Sequence, residues 1–145
     1  VENGADVIQI FDSWAGIVNT KRIGDLIYEP NAELAEFTKS LGVPVICFPR
    51  EVKNYLEFVK EVNPSAISID FNVDINHIAK NVEIPIQGNL NPSVLLTNKE
   101  TVKNETLKIL DTFKNHPHIF NLGHGVLPQT DPNMVDYLVN LVKNY

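Results

Sequence analysis

The chain has 145 residues, of which 43% are hydrophobic and 21% charged, and its formal net charge is −6. That length suits one domain with a real core, and the acidic balance argues against a general nucleic-acid or anionic-membrane surface. No apolar run approaches the roughly 18 residues of a membrane-spanning helix, and Arg22 and Arg50 are the only arginines.

The opening VENGAD reads as the tail of a helix closing on Gly4, and the only methionine is Met134. The chain is therefore expected to be a fragment or processed piece of something longer. VIQIF (7–11) is the first of five Ile- and Val-rich runs, followed by VPVICF (43–48), AISID (66–70), IPIQG (84–88) and IFNLG (119–123). All alternate only weakly, as parallel strands covered on both faces do. Cys47, in the second run, is the sole cysteine, so an internal disulfide is impossible and a reducing cytoplasm is the expected compartment.

Helix-period segments lie between the runs. ELAEFTKSLG follows Pro30, sets Leu34, Phe37, Thr38 and Leu41 on one face and stops at Gly42. EVKNYLEFVKEV aligns Val52, Tyr55, Leu56, Val59 and Val62, and INHIAKNV aligns Ile75, Ile78, Ala79 and Val82. In TNKE, Thr97 and Glu100 have capping-box spacing, with Val102, Ile109, Leu110 and Phe113 as the buried face. Asp131-Pro132 opens the last helix, with Val135, Leu138, Val139 and Val142 inward.

Fivefold strand–helix alternation makes the class α/β with parallel strands. One architecture is a complete five-stranded sheet of flavodoxin type. The other is part of a (β/α)8 TIM barrel, which needs roughly 30 residues per unit, so this chain makes about five. Both place ligands at the C-terminal ends of the strands. Those exits carry Asp12-Ser13-Trp14, Pro49-Arg50, Asp70-Phe71-Asn72, Gln87-Gly88-Asn89-Leu90-Asn91-Pro92 and Gly123-His124-Gly125, which is five polar or glycine-bearing turns on one rim.

Each residue also has a structural reading. Asp12 and Asp70 serve equally well as caps of the next segment's amides. Ser13 reads as a turn hydroxyl, Arg50 as a partner for Glu51 or another surface acid, and Trp14 as packing with its indole N–H satisfied. His124 is different: glycines on both sides leave room for a ligand, and a loop tip on a rigid scaffold is a place for function. His77, His116 and His118 read as surface residues.

NLGHG lacks the spacing of a phosphate-binding glycine loop. Cys47 has no His or Cys partner at zinc-site spacing, and no nucleophile-elbow motif surrounds Ser13.

Taken together, GADVIQIFDSWAG, IPIQGNLNPSVLL and FNLGHGVLPQTDPNMV closely resemble the C-terminal part of uroporphyrinogen decarboxylases, from about Gly4 to the last helix. The resemblance implies that residues 1–145 are the fourth to eighth βα units of a single barrel domain. It implies cofactor-free decarboxylation, without metal, of the four acetate side chains of uroporphyrinogen III, giving coproporphyrinogen III in haem biosynthesis. Ser13 and His124 match the family's substrate-binding serine and histidine and are expected to hydrogen-bond substrate carboxylates. The family's arginine-bearing loop, its aspartate and its tyrosine would precede Val1, so no catalytic residue is expected in this chain, and the chain alone is expected to be inactive. Homodimers are expected at full length, with no nucleic-acid or membrane partner. The runner-up is a corrinoid-linked methyltransferase of the same barrel superfamily, whose zinc-binding His-x-Cys pair is broken here by Val45 before Cys47. The non-enzyme alternative is a five-stranded binding module with Asp12 and Asp70 as rim residues.

Overall fold

The computed structural model describes residues 1–145. Five strands, β1 (Ile8–Asp12), β2 (Val45–Pro49), β3 (Ala66–Ser68), β4 (Ile86–Leu90) and β5 (His118–Leu122), form one sheet. Each is followed by a helix: α1 (Glu29–Ser40), α2 (Tyr55–Val62), α3 (Ile75–Asn81), α4 (Lys99–Phe113) and α5 (Pro132–Lys143). Every strand pairs in parallel with the next in chain order, β1-β2-β3-β4-β5. A flavodoxin-type sheet would run 2-1-3-4-5 with helices on both faces. Here each helix packs on its successor, α1 on α2 through α4 on α5, so the helices make one layer. This is five βα units of an incomplete TIM barrel.

The core lies between sheet and helices, where Val45, Cys47, Ile67, Ile69 and Ile86 meet Phe58, Ile78, Val102 and Phe113. Alternate side chains point to the opposite, concave face. That face is open: Phe11 is 66% exposed and Ile119 43%.

Most expected elements appear within a residue or two, with instructive departures. In α1 the buried residues are Asn31, Ala35 and Thr38, whereas Leu34, Phe37 and Leu41 are 51%, 63% and 47% exposed. Small Ala35 lets the helix lie close on the sheet, and the large side chains fall on a flank that no other element covers. Gly42 ends the helix as expected, at φ +81°. In α2 the inward stripe is Tyr55, Phe58 and Val62; Leu56 and Val59 sit at its margin and Val52 precedes the helix. The cap of α4 is Asn98, whose Oδ1 accepts from the Thr101 amide at 2.9 Å, while Thr97 Oγ1 donates back to the Val94 carbonyl at 2.6 Å. The Thr97–Glu100 box therefore does not form. Asp131 caps α5 through the Asn133 amide at 2.9 Å, and Leu138 is its buried residue, with Val139 42% exposed.

Cys47 is fully buried. Burial pushes its thiol from an ordinary 9.0 up to about 12, slightly opposed by Lys39. The unfolded chain loses this proton near pH 9.0 and the folded chain keeps it, so the unfolded state binds fewer protons and stability falls as pH rises. We expect a loss approaching ~1.4 kcal/mol per pH unit from this group. Urea melts from neutral pH to above pH 9.0 should show that decline in the wild type and a flatter line in Cys47→Val. Tyr55, raised by burial and by Asp70, acts in the same sense only above 10.0. An equal slope in both proteins would refute the assignment.

Candidate functional site

A cavity of about 390 Å³ opens on the concave face at the C-terminal ends of the strands. Ser13, from the exit of β1, and His124, from the exit of β5, both line it, together with Phe11, Phe48 and Asn121. Neither Ser13 nor His124 has a hydrogen-bond partner within the protein. Two side chains from opposite ends of the chain thus present unused donors to one space. Phe11 and Phe48 meet edge to face, with centroids 6.1 Å apart, and give the cavity an apolar wall.

The exit loops around this cavity are locked by hydrogen bonds among themselves. Asp70 is 2% exposed and accepts from the Glu51 amide at 2.9 Å, the Tyr55 hydroxyl at 2.7 Å and the Asn72 amide at 2.9 Å. It caps its own turn, as one sequence reading allowed, and it also fastens the β2 exit. Asn89, 5% exposed, donates to the Asp70 carbonyl at 3.0 Å and ties in β4. Asp12 accepts from Asn31 Nδ2 at 3.0 Å, and Asn31 also donates to the Ile27 carbonyl at 2.8 Å. Asp12 therefore anchors α1 and does not cap a following amide.

Gly16 lies against Glu51, and a Cβ there would come within 2.5 Å of the Glu51 Cβ. The two glycines beside His124 differ in role, and only Gly123 departs from the expectation of open space for a ligand. Gly123 is required because a Cβ would collide with the Phe71 backbone, which is a packing demand and not a matter of ligand access. Gly125 faces open space.

The remaining candidates separate cleanly. Arg50 pairs with Glu51 at 2.6 Å, as expected, and does not line the cavity. Trp14 is 70% exposed with its indole N–H unpartnered, contrary to the packed role expected for it. His116 and His118 are not simple surface residues. His116 Nε2 lies 2.7 Å from the Val82 carbonyl, and His118 Nε2 2.6 Å from that of Gly88. His118 also stacks on Phe113 at 4.4 Å, and burial holds its imidazole below the ordinary 6.5. No three His, Cys, Asp or Glu side chains converge as metal ligands do.

Two polar cavity residues, Gln9 and Ser68, escaped the sequence reading, and a third, Gln87, stood there only as part of the fourth strand's exit, with no role of its own. The available signal was the polar position inside each apolar run, IQIFD, AIS and IQGNL, at the spacing of a strand's second face.

The family model for uroporphyrinogen decarboxylase matches residues 1–145, the whole chain. The chain belongs to the uroporphyrinogen decarboxylase family. A uroporphyrinogen decarboxylase of Wolbachia sp. subsp. Drosophila simulans (strain wRi) is 44% identical across 100% of this chain, which covers 44% of that protein. That of Orientia tsutsugamushi (strain Boryong) is 38% identical over 98% of the chain and 43% of its own length. That of Rickettsia felis is 38% identical over 99% and 43%. The chain thus spans less than half the length of these curated uroporphyrinogen decarboxylases. With the consecutive strand order, membership in this family disfavours both the flavodoxin-like module and the corrinoid methyltransferase. No helix is long and apolar enough to cross a membrane.

Proposed function

We propose that this chain supplies the C-terminal five βα units of a cytoplasmic, homodimeric carboxy-lyase that converts uroporphyrinogen III to coproporphyrinogen III by removing four acetate carboxyl groups. The observation that carries this reading is the convergence of Ser13 and His124, both unpartnered, on one cavity at the C-terminal strand ends. Ser13 Oγ–H and a His124 ring N–H hydrogen-bond side-chain carboxylates of the macrocycle, and Phe11 and Phe48 lie along its apolar edge.

The pyrrole ring serves as the electron sink, so the reading calls for no metal or organic cofactor. Protonation of the ring makes it cationic; the bond to the carboxylate carbon then breaks, carbon dioxide leaves and the electron pair passes into the ring. A second proton, delivered to the exocyclic carbon, forms the methyl group, and loss of the first proton from the ring carbon restores the neutral pyrrole, so one proton is consumed for each carbon dioxide released. The cationic intermediate needs a carboxylate nearby. Asp70 is occupied by its three donors and Asp12 by Asn31, so neither meets that need. Arg50 is held by Glu51 and cannot neutralise the substrate's many carboxylates. The stabilising carboxylate and the cationic loop belong to N-terminal units of the same polypeptide.

The test compares the 145-residue chain with the natural full-length polypeptide in a decarboxylation assay on uroporphyrinogen III. The full-length polypeptide is expected to turn over and the isolated chain to show none. Turnover by the isolated chain would refute this division of labour, and none by the full-length polypeptide would refute the function.

A further inference from the structure

Deeper in the cavity than Ser13 and His124, the strands contribute a hydrogen-bonded trio. Gln87 Nε2 donates to Gln9 Oε1 at 3.3 Å and to Ser68 Oγ at 3.2 Å. A primary amide has two N–H groups, and both are used here. With its carbonyl taken, Gln9 is left with a free Nε2–H2 group. Ser68, accepting at Oγ, is left with a free hydroxyl proton. Neither has another acceptor in the protein, and both residues line the cavity. Gln87 is 5% exposed and Ser68 4%, so these two are shielded from bulk water, while Gln9 is half-buried.

We infer that Gln9 and Ser68 form an uncharged donor pair for a substrate carboxylate, separate from Ser13 and His124, and that Gln87 is the positioning residue that fixes their polarity. The inference rests on the proposed decarboxylase reading. Apart from the imidazole of His124, no side chain lining this cavity ionises. Neutral donors orient a carboxylate without the ground-state stabilisation that a buried guanidinium would give it, and binding that is equal in ground and transition states does not speed the chemical step.

Gln87→Glu separates this role from a packing role. The substitution keeps size and shape, but an ionised carboxylate only accepts hydrogen bonds. Gln9 must then turn its N–H2 group inward and present its carbonyl to the cavity, and Ser68 donates inward as well. We expect KM for uroporphyrinogen III in the full-length enzyme to rise about tenfold or more, with kcat changed less. Gln87→Met, which removes the donors without reversing polarity, should raise KM by a smaller factor. A packing role would instead move thermal midpoint and activity together in both variants. Gln9 is only half-buried, so Gln9→Met tests the same site should Gln87→Glu fail to fold, with an expected KM increase of roughly threefold or more. Unchanged KM in a folded Gln87→Glu or in Gln9→Met, with the wild type active, overturns this inference alone. Lack of turnover by the full-length wild type overturns the decarboxylase reading and this inference with it.

Discussion

Replacing His124 with alanine in the full-length enzyme is expected to lower kcat/KM for uroporphyrinogen by about ten- to a hundredfold, most of it through KM. A hydrogen bond to a charged partner contributes about 1.5–3 kcal/mol, and each 1.36 kcal/mol is a factor of ten. His124 is exposed and bonds to nothing in the protein, so its removal leaves no orphaned group and the thermal midpoint should hardly move. Ser13→Ala should behave in the same way at the other end of the chain, with a loss of about tenfold because the hydroxyl is a neutral donor. Because the carboxylate is held in both ground and transition states, the loss appears as weaker binding. Steady-state kinetics beside a melting curve measure both quantities. An unchanged kcat/KM in His124→Ala would remove the main support for the site.

Asp70→Ala is expected to do the opposite, destabilising the fold first and altering catalysis only as a consequence. Its carboxylate is 2% exposed and satisfies the Glu51 amide, the Tyr55 hydroxyl and the Asn72 amide at 2.7–2.9 Å. Each donor stranded without water costs about 1–3 kcal/mol. Three together amount to roughly 3–6 kcal/mol even with partial relaxation, against typical domain stabilities of about 5–15 kcal/mol. Glu51 also stands at φ +58°, a conformation that the bond to Asp70 helps to hold. Asp70→Asn keeps one acceptor oxygen and should lose only about 1–2 kcal/mol. Tyr55→Phe removes a single bond and should lose about as much. Urea melts of the three variants should rank Ala well below Asn and Phe; an Asp70→Ala midpoint near that of the wild type would sink the account.

The contrast between these two residues explains how far the sequence could be read. Both are polar groups at strand exits; the flanking glycines already set His124 apart in the sequence, whereas Asp70 read equally well as a cap or a rim residue. What separates them is whether other loops supply partners. Tyr55 lies fifteen positions before Asp70, and its hydroxyl reaches the carboxylate only because α2 docks over β3. For His124 no loop supplies such a partner. Likewise Gly123 is explained by the Phe71 backbone, a contact between the β3 and β5 exits that no local pattern encodes.

The helix faces tell the same story. In α3 and α4 the large apolar residues coincide with the buried face, because each helix has a neighbour on both sides. In α1 they do not, since Leu34, Phe37 and Leu41 lie on a flank with no partner in the chain, and Ala35 takes the contact with the sheet. The Thr97–Glu100 spacing misled by one residue because Asn98 competes for the same amides at the start of α4.

The sequence by itself determined the local alphabet of this protein: five Ile- and Val-rich parallel strands, the helices between them, the cap at Asp131, the stop at Gly42, and the motif blocks that place Ser13 and His124 within a known family. These follow from side-chain period, backbone preference and short-range hydrogen bonding, all of which act within a few residues. Only the tertiary structure decided the consecutive strand order, the meeting of Ser13 with His124 in one cavity, the inward-facing Gln9, Ser68 and Gln87, and the burial of Asp70 beneath its three donors. Those depend on strand register and helix docking, where contacts between residues far apart in the chain settle which polar groups are satisfied and which are left free to bind.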